Sequence, residues 1–182
     1  MRTITALFVG LGSIGTRHLK NLANLCADRG WALQADALRS DLSRPLRDGV
    51  AELLHAQYTD MADAPAHYDL VFITNPTSLH ADALTQVKGR GEALFIEKPI
   101  FSAEQTGLAL ANYLPAGQKA YVAAPMRWCG VMLALKDRLP ALHPYCARVI
   151  CSSYLPDWRP SVDYRTCLLY TSPSPRDRTR SR

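Results

Sequence analysis

The sequence predicts an α/β protein with a doubly wound parallel sheet, because strand-like and helical patterns alternate along it. Three glycines, Gly10, Gly12 and Gly15, follow the apolar run 4–9 with the spacing G-x-G-x-x-G. The run 70–73 is apolar throughout, as expected of a strand that helices cover on both faces. Strands separated by helices of about a dozen residues imply right-handed βαβ crossovers. These observations predict a Rossmann-type doubly wound parallel sheet.

The glycine pattern predicts a bend that binds the pyrophosphate of a dinucleotide. The first glycine allows a tight turn, the second lets the backbone approach phosphate, and the third lets the helix pack on the strand. Apolar residues at helical spacing then predict a helix that Gly30 ends, and this helix aims its first N–H groups at the anion. We therefore expect cofactor contacts from the bend and the first helical turn, at Gly10, Gly12, Ser13, Ile14 and Gly15. A strand-to-helix turn without a ligand is the alternative interpretation.

The remaining elements continue the alternation of strands and helices. Further strands are predicted at 31–38, 56–59, 70–73, 93–96 and 121–124. Apolar residues at helical spacing predict helices near 46–54 and 79–87. Ser102 and Gln105 form a capping-box pattern, which predicts the start of a helix over 103–114.

Composition excludes several classes of protein. A chain of 182 residues with 48% hydrophobic content can bury one good core, so a second domain would be small or incomplete. The sequence has no run of eighteen apolar residues and no charged-then-apolar leader, which favours a cytoplasmic protein without a membrane segment. Its five cysteines form no CxxC pair, so we expect reduced thiols and no metal site.

The formal net charge of +5 lies mostly in the last residues of the chain. Residues 168–182 hold four arginines and one aspartate, so the rest of the chain is not strongly basic. No basic face with interleaved aromatic residues precedes this segment, so we do not expect nucleic-acid binding. The segment also shifts to Ser, Pro, Thr and Arg without a periodic apolar face, which predicts a disordered tail over 168–182. It resembles translated adapter or vector sequence, and our hypothesis is that this tail is non-native.

In doubly wound sheets ligands bind beyond the carboxyl ends of the strands, so polar residues there are candidate site residues. Arg39 and Ser40 follow the second strand, and an arginine at this place suits the 2′-phosphate of NADP. Asp41 could instead serve the ribose of NAD, and Arg39 could simply solvate a loop. Asp36 has the usual separation of a ribose-binding acid but lies inside the apparent strand. The sequence thus predicts NADP or NAD as cofactor and favours NADP.

Polar segments also follow the fourth and fifth strands. Asn75 and Pro76 are expected to shape the backbone that passes the ribose of the cofactor. His80 could cap the next helix or contact the cofactor. Glu97 and Lys98 follow the fifth strand, and this location favours a functional lysine over a surface lysine paired with Glu97.

Several spaced motifs together resemble a known family. The glycine pattern continues into Thr16, Arg17 and His18, which could face phosphate or solvent. With "TNPTSLHADAL", "FIEKPI" and "APMRW" in this order, it resembles the N-terminal half of the Gfo/Idh/MocA oxidoreductases over roughly residues 4–165. The resemblance implies hydride transfer between a nicotinamide and a hydroxyl or carbonyl carbon, commonly of a sugar, an inositol or a nucleotide-linked sugar. It also implies that the lysine of Glu-Lys-Pro, here Lys98, is a catalytic residue beside nicotinamide and substrate, where its ammonium stabilises charge on the reacting oxygen.

The resemblance also implies a division of the chain into a dinucleotide-binding domain, 1–125, and the start of an incomplete second α/β domain, the substrate domain, over 126–167. Arg127 and Trp128 are expected to border the substrate, although Trp128 could also pack at a hinge. Trp158 and Arg159 could stack on and hydrogen-bond a hydroxyl-rich ligand, as such residues in ordinary loops also could. The resemblance implies that family members continue through an open sheet, which joins subunits, and a helix of the same domain, which supplies an aspartate and a histidine. We therefore expect a homo-oligomeric full-length protein, of which this chain is a weakly active or inactive fragment.

Two other classes of protein share the first-domain pattern. A non-catalytic nucleotide-binding or partner-binding module would have the same glycine bend and sheet. A SAM-dependent methyltransferase also has a glycine-rich first loop, but it is not expected to carry Glu-Lys-Pro after the fifth strand.

Overall fold

The computed structural model describes residues 1–47, 49–143, 146 and 148. The chain divides into two compact units, Met1–Ala124 and Pro125–Arg182. Trp158, Arg159 and the predicted tail 168–182 lie outside the described residues.

The first unit is built on a six-stranded sheet in which every neighbouring pair of strands is parallel. The strands are β1 (Thr3–Val9), β2 (Ala32–Leu38), β3 (Leu54–Tyr58), β4 (Tyr68–Ile73), β5 (Gly91–Ile96) and β6 (Lys119–Val122). Their order is β3-β2-β1-β4-β5-β6, so the direction of winding reverses between β1 and β4. A doubly wound sheet leaves its ligand crevice at this reversal. The predicted Rossmann-type fold class is confirmed.

Helices connect the strands and continue into the second unit. Helix α1 (Ser13–Asp28) joins β1 to β2. Helix α2 (His80–Gln86) follows a 3₁₀ turn at Thr77–Leu79 and joins β4 to β5. In the second unit, α3 (Gly130–Leu142) follows a 3₁₀ turn at Pro125–Trp128. None of the helices in the described ranges has the length and apolar composition that a bilayer crossing requires.

The sheet buries apolar side chains on both of its faces. On β1, Ala6 and Phe8 belong to a cluster with Leu19 of α1, whereas Leu7 and Val9 belong to a second cluster. Successive side chains of a strand point to opposite faces, so a strand that is apolar throughout must be covered on both. This explains the unbroken apolar runs of the sequence.

A row of aromatic rings crosses the face of the sheet on which α1 packs. Phe8, Phe72, Phe95 and Tyr121 are register partners on β1, β4, β5 and β6. Their ring centroids are separated by 4.4, 5.3 and 5.4 Å in turn. Contacts at these distances add to the burial energy and restrict the rings. The packed rings therefore form a rigid surface on this face of the sheet.

The helix predicted near 46–54 is wrong. The structure has a 3₁₀ turn at Ala51–Leu53 in this segment, and Leu54 already begins β3. Val50 is fully buried against the cluster beneath α1. The apolar spacing therefore reflects the burial of an irregular segment rather than a helix.

The helix predicted over 103–114 is also wrong, although its capping pattern is real. The Gln105 side chain accepts a hydrogen bond from the Ser102 N–H at 3.0 Å, and a 3₁₀ turn spans Ala103–Gln105. Gly107 then has a φ of +95°, outside the helical region, and a second short turn forms at Leu110–Asn112. The final strand also begins earlier than predicted, at Lys119.

Candidate functional site

Backbone hydrogen bonds bring the predicted site segments to one edge of the sheet. The N–H of Gly10 donates to Leu38 O at 2.9 Å, which ties the glycine bend to the end of β2. The N–H of Thr74 donates to Val9 O at 3.0 Å, and that of Glu97 to Ile73 O at 2.9 Å. The ends of β2, β1, β4 and β5 are thus fixed side by side, as the parallel topology requires.

The three glycines of the bend meet three different steric situations. Gly10 has a φ of +85°, and a Cβ there would lie 2.8 Å from the Cα of Asn75. A Cβ on Gly15 would lie 2.5 Å from Gly10 O and 2.7 Å from Thr74 Oγ1. At Gly12 a Cβ would meet no described protein atom within 4 Å, and the residue is exposed. The protein itself therefore requires the first and third glycines, whereas the second leaves open space where a ligand could approach the backbone.

The bend leads into a helix start that suits an anion. Gly12 is the N-cap residue of α1 and supplies no side-chain hydrogen bond, and the first turn carries no acidic residue. The first N–H groups of a helix have no partner within the helix, and the helix dipole is positive at this end. The turn that Ser13 and Ile14 open is consequently available to a phosphate group.

Thr74 supports the bend and was not singled out in the sequence. Its Oγ1 donates to Gly10 O at 2.5 Å and also lies 3.3 Å from Val9 O. The residue is 4% exposed. A hydroxyl residue at the end of the apolar run 70–73 is the signal that could have identified it.

Basic side chains line the clefts beside the glycine bend. One cleft of about 600 Å³ lies along α1 and is lined by Ser13, Thr16, Arg17, Lys20, Asn21 and Arg47. A second cleft of about 600 Å³ is formed by the loop after β2 and shares Arg47 with the first. Among the described residues, no acidic side chain lines the α1 cleft, whereas Glu52 lines the second cleft together with Arg39, Arg44 and Arg47. The surroundings of the bend on the β2 side therefore favour a negatively charged ligand.

Arg39 forms part of the second cleft and is tied to its walls. Its guanidinium donates to Gln57 Oε1 at 2.7 Å and to Arg44 O at 2.5 Å. Asp41 is occupied within the loop, because its carboxylate accepts from the Ser43 N–H at 2.8 Å and from Ser43 Oγ at 2.6 Å. The bonds from the Ser43 hydroxyl and N–H hold the pKa of Asp41 below its usual value. Ser40, between the two, is exposed.

Asp36 lies inside β2, as the sequence suggested, and is 3% exposed. Its carboxylate accepts hydrogen bonds from the Tyr68 hydroxyl at 2.8 Å and from His55 Nδ1 at 3.1 Å. Burial and this bond to Asp36 raise the pKa of Tyr68 far above its usual range. Asp36 is therefore a buried structural acid and does not reach the crevice.

The segment after β4 places Asn75 and His80 differently. Asn75 Nδ2 donates to Leu79 O at 3.2 Å, while its Oδ1 is buried without a partner in the described structure. His80 is 1% exposed, and its Nε2 and Nδ1 lie 3.0 Å from the carbonyl oxygens of Asn75 and Ile100. Both ring nitrogens of the buried His80 thus face backbone carbonyls, and the predicted contact of His80 with the cofactor stays a prediction. Pro76, which precedes the 3₁₀ turn at Thr77, has an extended backbone.

The Glu-Lys-Pro segment forms the turn after β5. Lys98 is exposed, and the Lys98–Pro99 peptide bond is cis. Glu97 Oε2 accepts from the Lys98 backbone N–H at 3.1 Å, and Oε1 accepts from His18 Nε2 at 2.6 Å. Burial alone would raise the pKa of Glu97. Hydrogen bonds from the His18 side chain and the Lys98 backbone N–H, together with the electrostatic effect of the His18 and Lys98 side chains, outweigh burial and hold the pKa below its usual value.

His18 is the site-region residue to which the sequence gave no role. It lies on α1, and its Nε2 contacts Glu97 Oε1. Its place one residue before the buried Leu19 is a signal that it could turn toward the sheet. In the second unit, Arg127 and Trp128 lie in the turn that precedes α3, and Trp128 is 64% exposed.

A doubly wound sheet with an open second glycine and an uncapped helix start defines a dinucleotide-binding α/β protein. A family model described as an oxidoreductase family with an NAD-binding Rossmann fold matches residues 4–121. The chain belongs to this family, the Gfo/Idh/MocA oxidoreductases.

Three proteins that this chain resembles are named as an oxidoreductase or a dehydrogenase. The uncharacterized oxidoreductase YrbE of Bacillus subtilis is 28% identical over 60% of this chain and 32% of its own length. The scyllo-inositol 2-dehydrogenase (NAD(+)) of the same organism is 27% identical over 73% of this chain and 39% of its own. The WlbA dehydrogenase of Chromobacterium violaceum, in complex with NADH and UDP-GlcNAcA, superposes with a TM-score of 0.62 at 23% identity over 78% of this chain and 41% of its own. The chain thus spans about a third to two fifths of the length of these proteins.

Proposed function

We propose that this chain binds a nicotinamide dinucleotide across the carboxyl edge of the sheet and takes part in hydride transfer to or from a sugar-like substrate. The observation that carries the proposal is the open space at Gly12, between two glycines that the fold itself requires. The names of the relatives support the chemical class of the substrate: an inositol, a sugar or a nucleotide-linked sugar.

The chain's own residues would orient and polarise the reactants. When bound, the nicotinamide supplies or accepts the hydride. The glycine bend and the first turn of α1 would hold the pyrophosphate, because their N–H groups point at the anion. Lys98 would donate a hydrogen bond to the reacting oxygen as charge develops on it, which lowers the barrier where the charge changes most. We propose Arg127 and Trp128, and beyond the described residues Trp158 and Arg159, as candidate substrate contacts.

The cofactor that we propose is NADP rather than NAD. Asp36 is buried, and Asp41 already accepts from Ser43 through Oδ1 and lies 3.4 Å from Arg44 Nε through Oδ2, so both carboxylates have partners on the protein. Arg39, with two more arginines of the second cleft, could instead bind a 2′-phosphate. Fluorescence titration should give a lower Kd for NADPH than for NADH, and the difference should shrink in Arg39→Gln and at high salt. A Kd for NADH that is equal or lower would contradict this preference.

The proposed binding site is tested by adding one methyl group at Gly12. Gly12→Ala should raise the Kd for the reduced cofactor by about tenfold or more, because the methyl occupies the path of the pyrophosphate, while the urea midpoint should fall only slightly, since alanine is a poorer N-cap than glycine. Gly130→Ala is the matched control, since a Cβ there also meets no described atom within 4 Å. Equal affinities in wild type and Gly12→Ala would sink the proposal. Cofactor binding without turnover on inositols or nucleotide sugars would favour a nucleotide-binding module.

A further inference from the structure

The Glu97–Ile100 turn, which carries Lys98, is held at both ends by histidines. At its start, His18 Nε2 donates to Glu97 Oε1 at 2.6 Å. At its end, His80 Nδ1 lies 3.0 Å from Ile100 O. The second oxygen of Glu97 accepts from the backbone N–H of Lys98 at 3.1 Å. A continuous chain of hydrogen bonds therefore runs from helix α1, through Glu97, to the backbone of Lys98.

The His18 ring is itself fixed by the sheet below it. Its centroid lies 4.8 Å from that of Phe95 and 6.2 Å from that of Phe72, both members of the aromatic row. Its side chain is 19% exposed and that of Glu97 is 12% exposed. A short hydrogen bond between two side chains that are packed in this way leaves the carboxylate little freedom to reorient.

We propose that His18 is a positioning residue, which holds the Glu97 carboxylate so that this carboxylate fixes the backbone of Lys98 beside the nicotinamide. The inference rests on the proposed function, because it assumes that Lys98 acts on a bound cofactor and substrate. It adds a role for α1 beyond phosphate binding: the helix that begins at the glycine bend also sets the catalytic turn. Positioning of this kind matters because a displacement of about 1 Å can cost about a hundredfold in rate.

Two substitutions separate this role from simple packing. His18→Phe keeps a ring above Phe95 and removes the hydrogen-bond donor. His18→Gln keeps a donor and removes the ring. The matched control is His67→Gln, because His67 also faces a carboxylate, Glu92 at 3.6 Å, but is 56% exposed and far from the turn.

The first measurement needs no cofactor. The chemical shift of the Lys98 backbone amide, followed by NMR as a function of pH, reports the titration of the carboxylate to which it donates. Besides His18, the charged group that acts on Glu97 is the Lys98 ammonium, which all variants keep. In His18→Phe the midpoint should move to higher pH, because a hydrogen bond to the ionised carboxylate is lost. His18→Gln should restore part of the shift, and His67→Gln should leave it unchanged.

The second measurement uses the cofactor. Saturating reduced cofactor should protect Lys98 from reductive methylation, as quantified by mass spectrometry. His18→Phe should lose most of this protection, while its Kd for the cofactor stays within about twofold of wild type, since the glycine bend is untouched. Unchanged protection and an unchanged amide midpoint in His18→Phe would overturn the proposal, as would rescue by the ring rather than by the donor. If wild type binds no cofactor, the proposed function fails, and the amide midpoint still decides whether His18 acts through Glu97 on Lys98.

Discussion

At the scale of single residues, the glycine bend depends on one hydroxyl. Thr74 Oγ1 donates to Gly10 O, and the side chain is almost fully buried. Thr74→Val keeps the shape and leaves this carbonyl oxygen without its side-chain donor, so we expect a loss of about 1–2 kcal/mol in the free energy of unfolding. Urea denaturation measures it, with the exposed Thr59→Val as control. A change as small as that of the control would mean that water replaces the hydroxyl.

Glu97 makes the stability of the protein depend on pH. Its pKa is lower in the folded protein than in the unfolded chain, so the folded state is stabilised above the unfolded pKa of about 4.3. This contribution is lost as the pH falls through the folded pKa. The stability advantage of wild type over Glu97→Gln should therefore shrink between about pH 5 and pH 3. Urea unfolding at several pH values measures it, and the exposed Glu104→Gln serves as control. A constant difference across this range would contradict the prediction.

At the scale of elements, the strands could be predicted because a strand that is buried on both faces needs an unbroken run of apolar residues. Two of the predicted helices are absent for different reasons. The spacing of Leu46 and Val50 results from burial against the sheet. The capping box at Ser102 starts a turn, and the positive φ of Gly107 prevents a helix from continuing it. The glycine bend could be predicted because its three glycines lie close together in the sequence. The link from His18 to Glu97 was not, because it joins residues that only the sheet brings together.

A second link joins β2, β3 and β4 beneath the crevice. Tyr68 on β4 and His55 on β3 both bond the carboxylate of Asp36 on β2. Tyr68→Phe would leave this buried carboxylate short of a donor, so we expect a loss of about 1.5–3 kcal/mol in the free energy of unfolding. Its Kd for the reduced cofactor should equal that of wild type, because Asp36 does not reach the crevice.

The matched control is Tyr113→Phe, whose ring packs against the same cluster as Tyr68. Thermal or urea unfolding gives the stability, and fluorescence titration gives the Kd. If the cofactor affinity falls together with stability in Tyr68→Phe but not in Tyr113→Phe, Asp36 contacts the ribose of the cofactor after all.

At the scale of the whole molecule, the first unit holds the glycine bend, Asn75 and the Lys98 turn of the proposed cofactor site. Within the described part of the chain, all six strands and both apolar clusters lie in Met1–Ala124. The second unit, in its described part, presents exposed apolar side chains on α3, at Val131, Met132, Leu133, Leu135 and Leu139. Apolar groups that are exposed together on one helix favour association.

A chain that ends after Ala124 should therefore fold and bind on its own. We expect a single cooperative urea transition and a Kd for the reduced cofactor within about twofold of the full chain, because the glycine bend, Asn75 and the Lys98 turn are all retained. We also expect less self-association, since the exposed side chains of α3 are removed. Light scattering over a range of concentrations measures the association, and Val131→Lys in the full chain is the control that removes only one apolar group. If the shortened chain unfolds without cooperativity, the sheet depends on the second unit, and the first unit does not fold on its own.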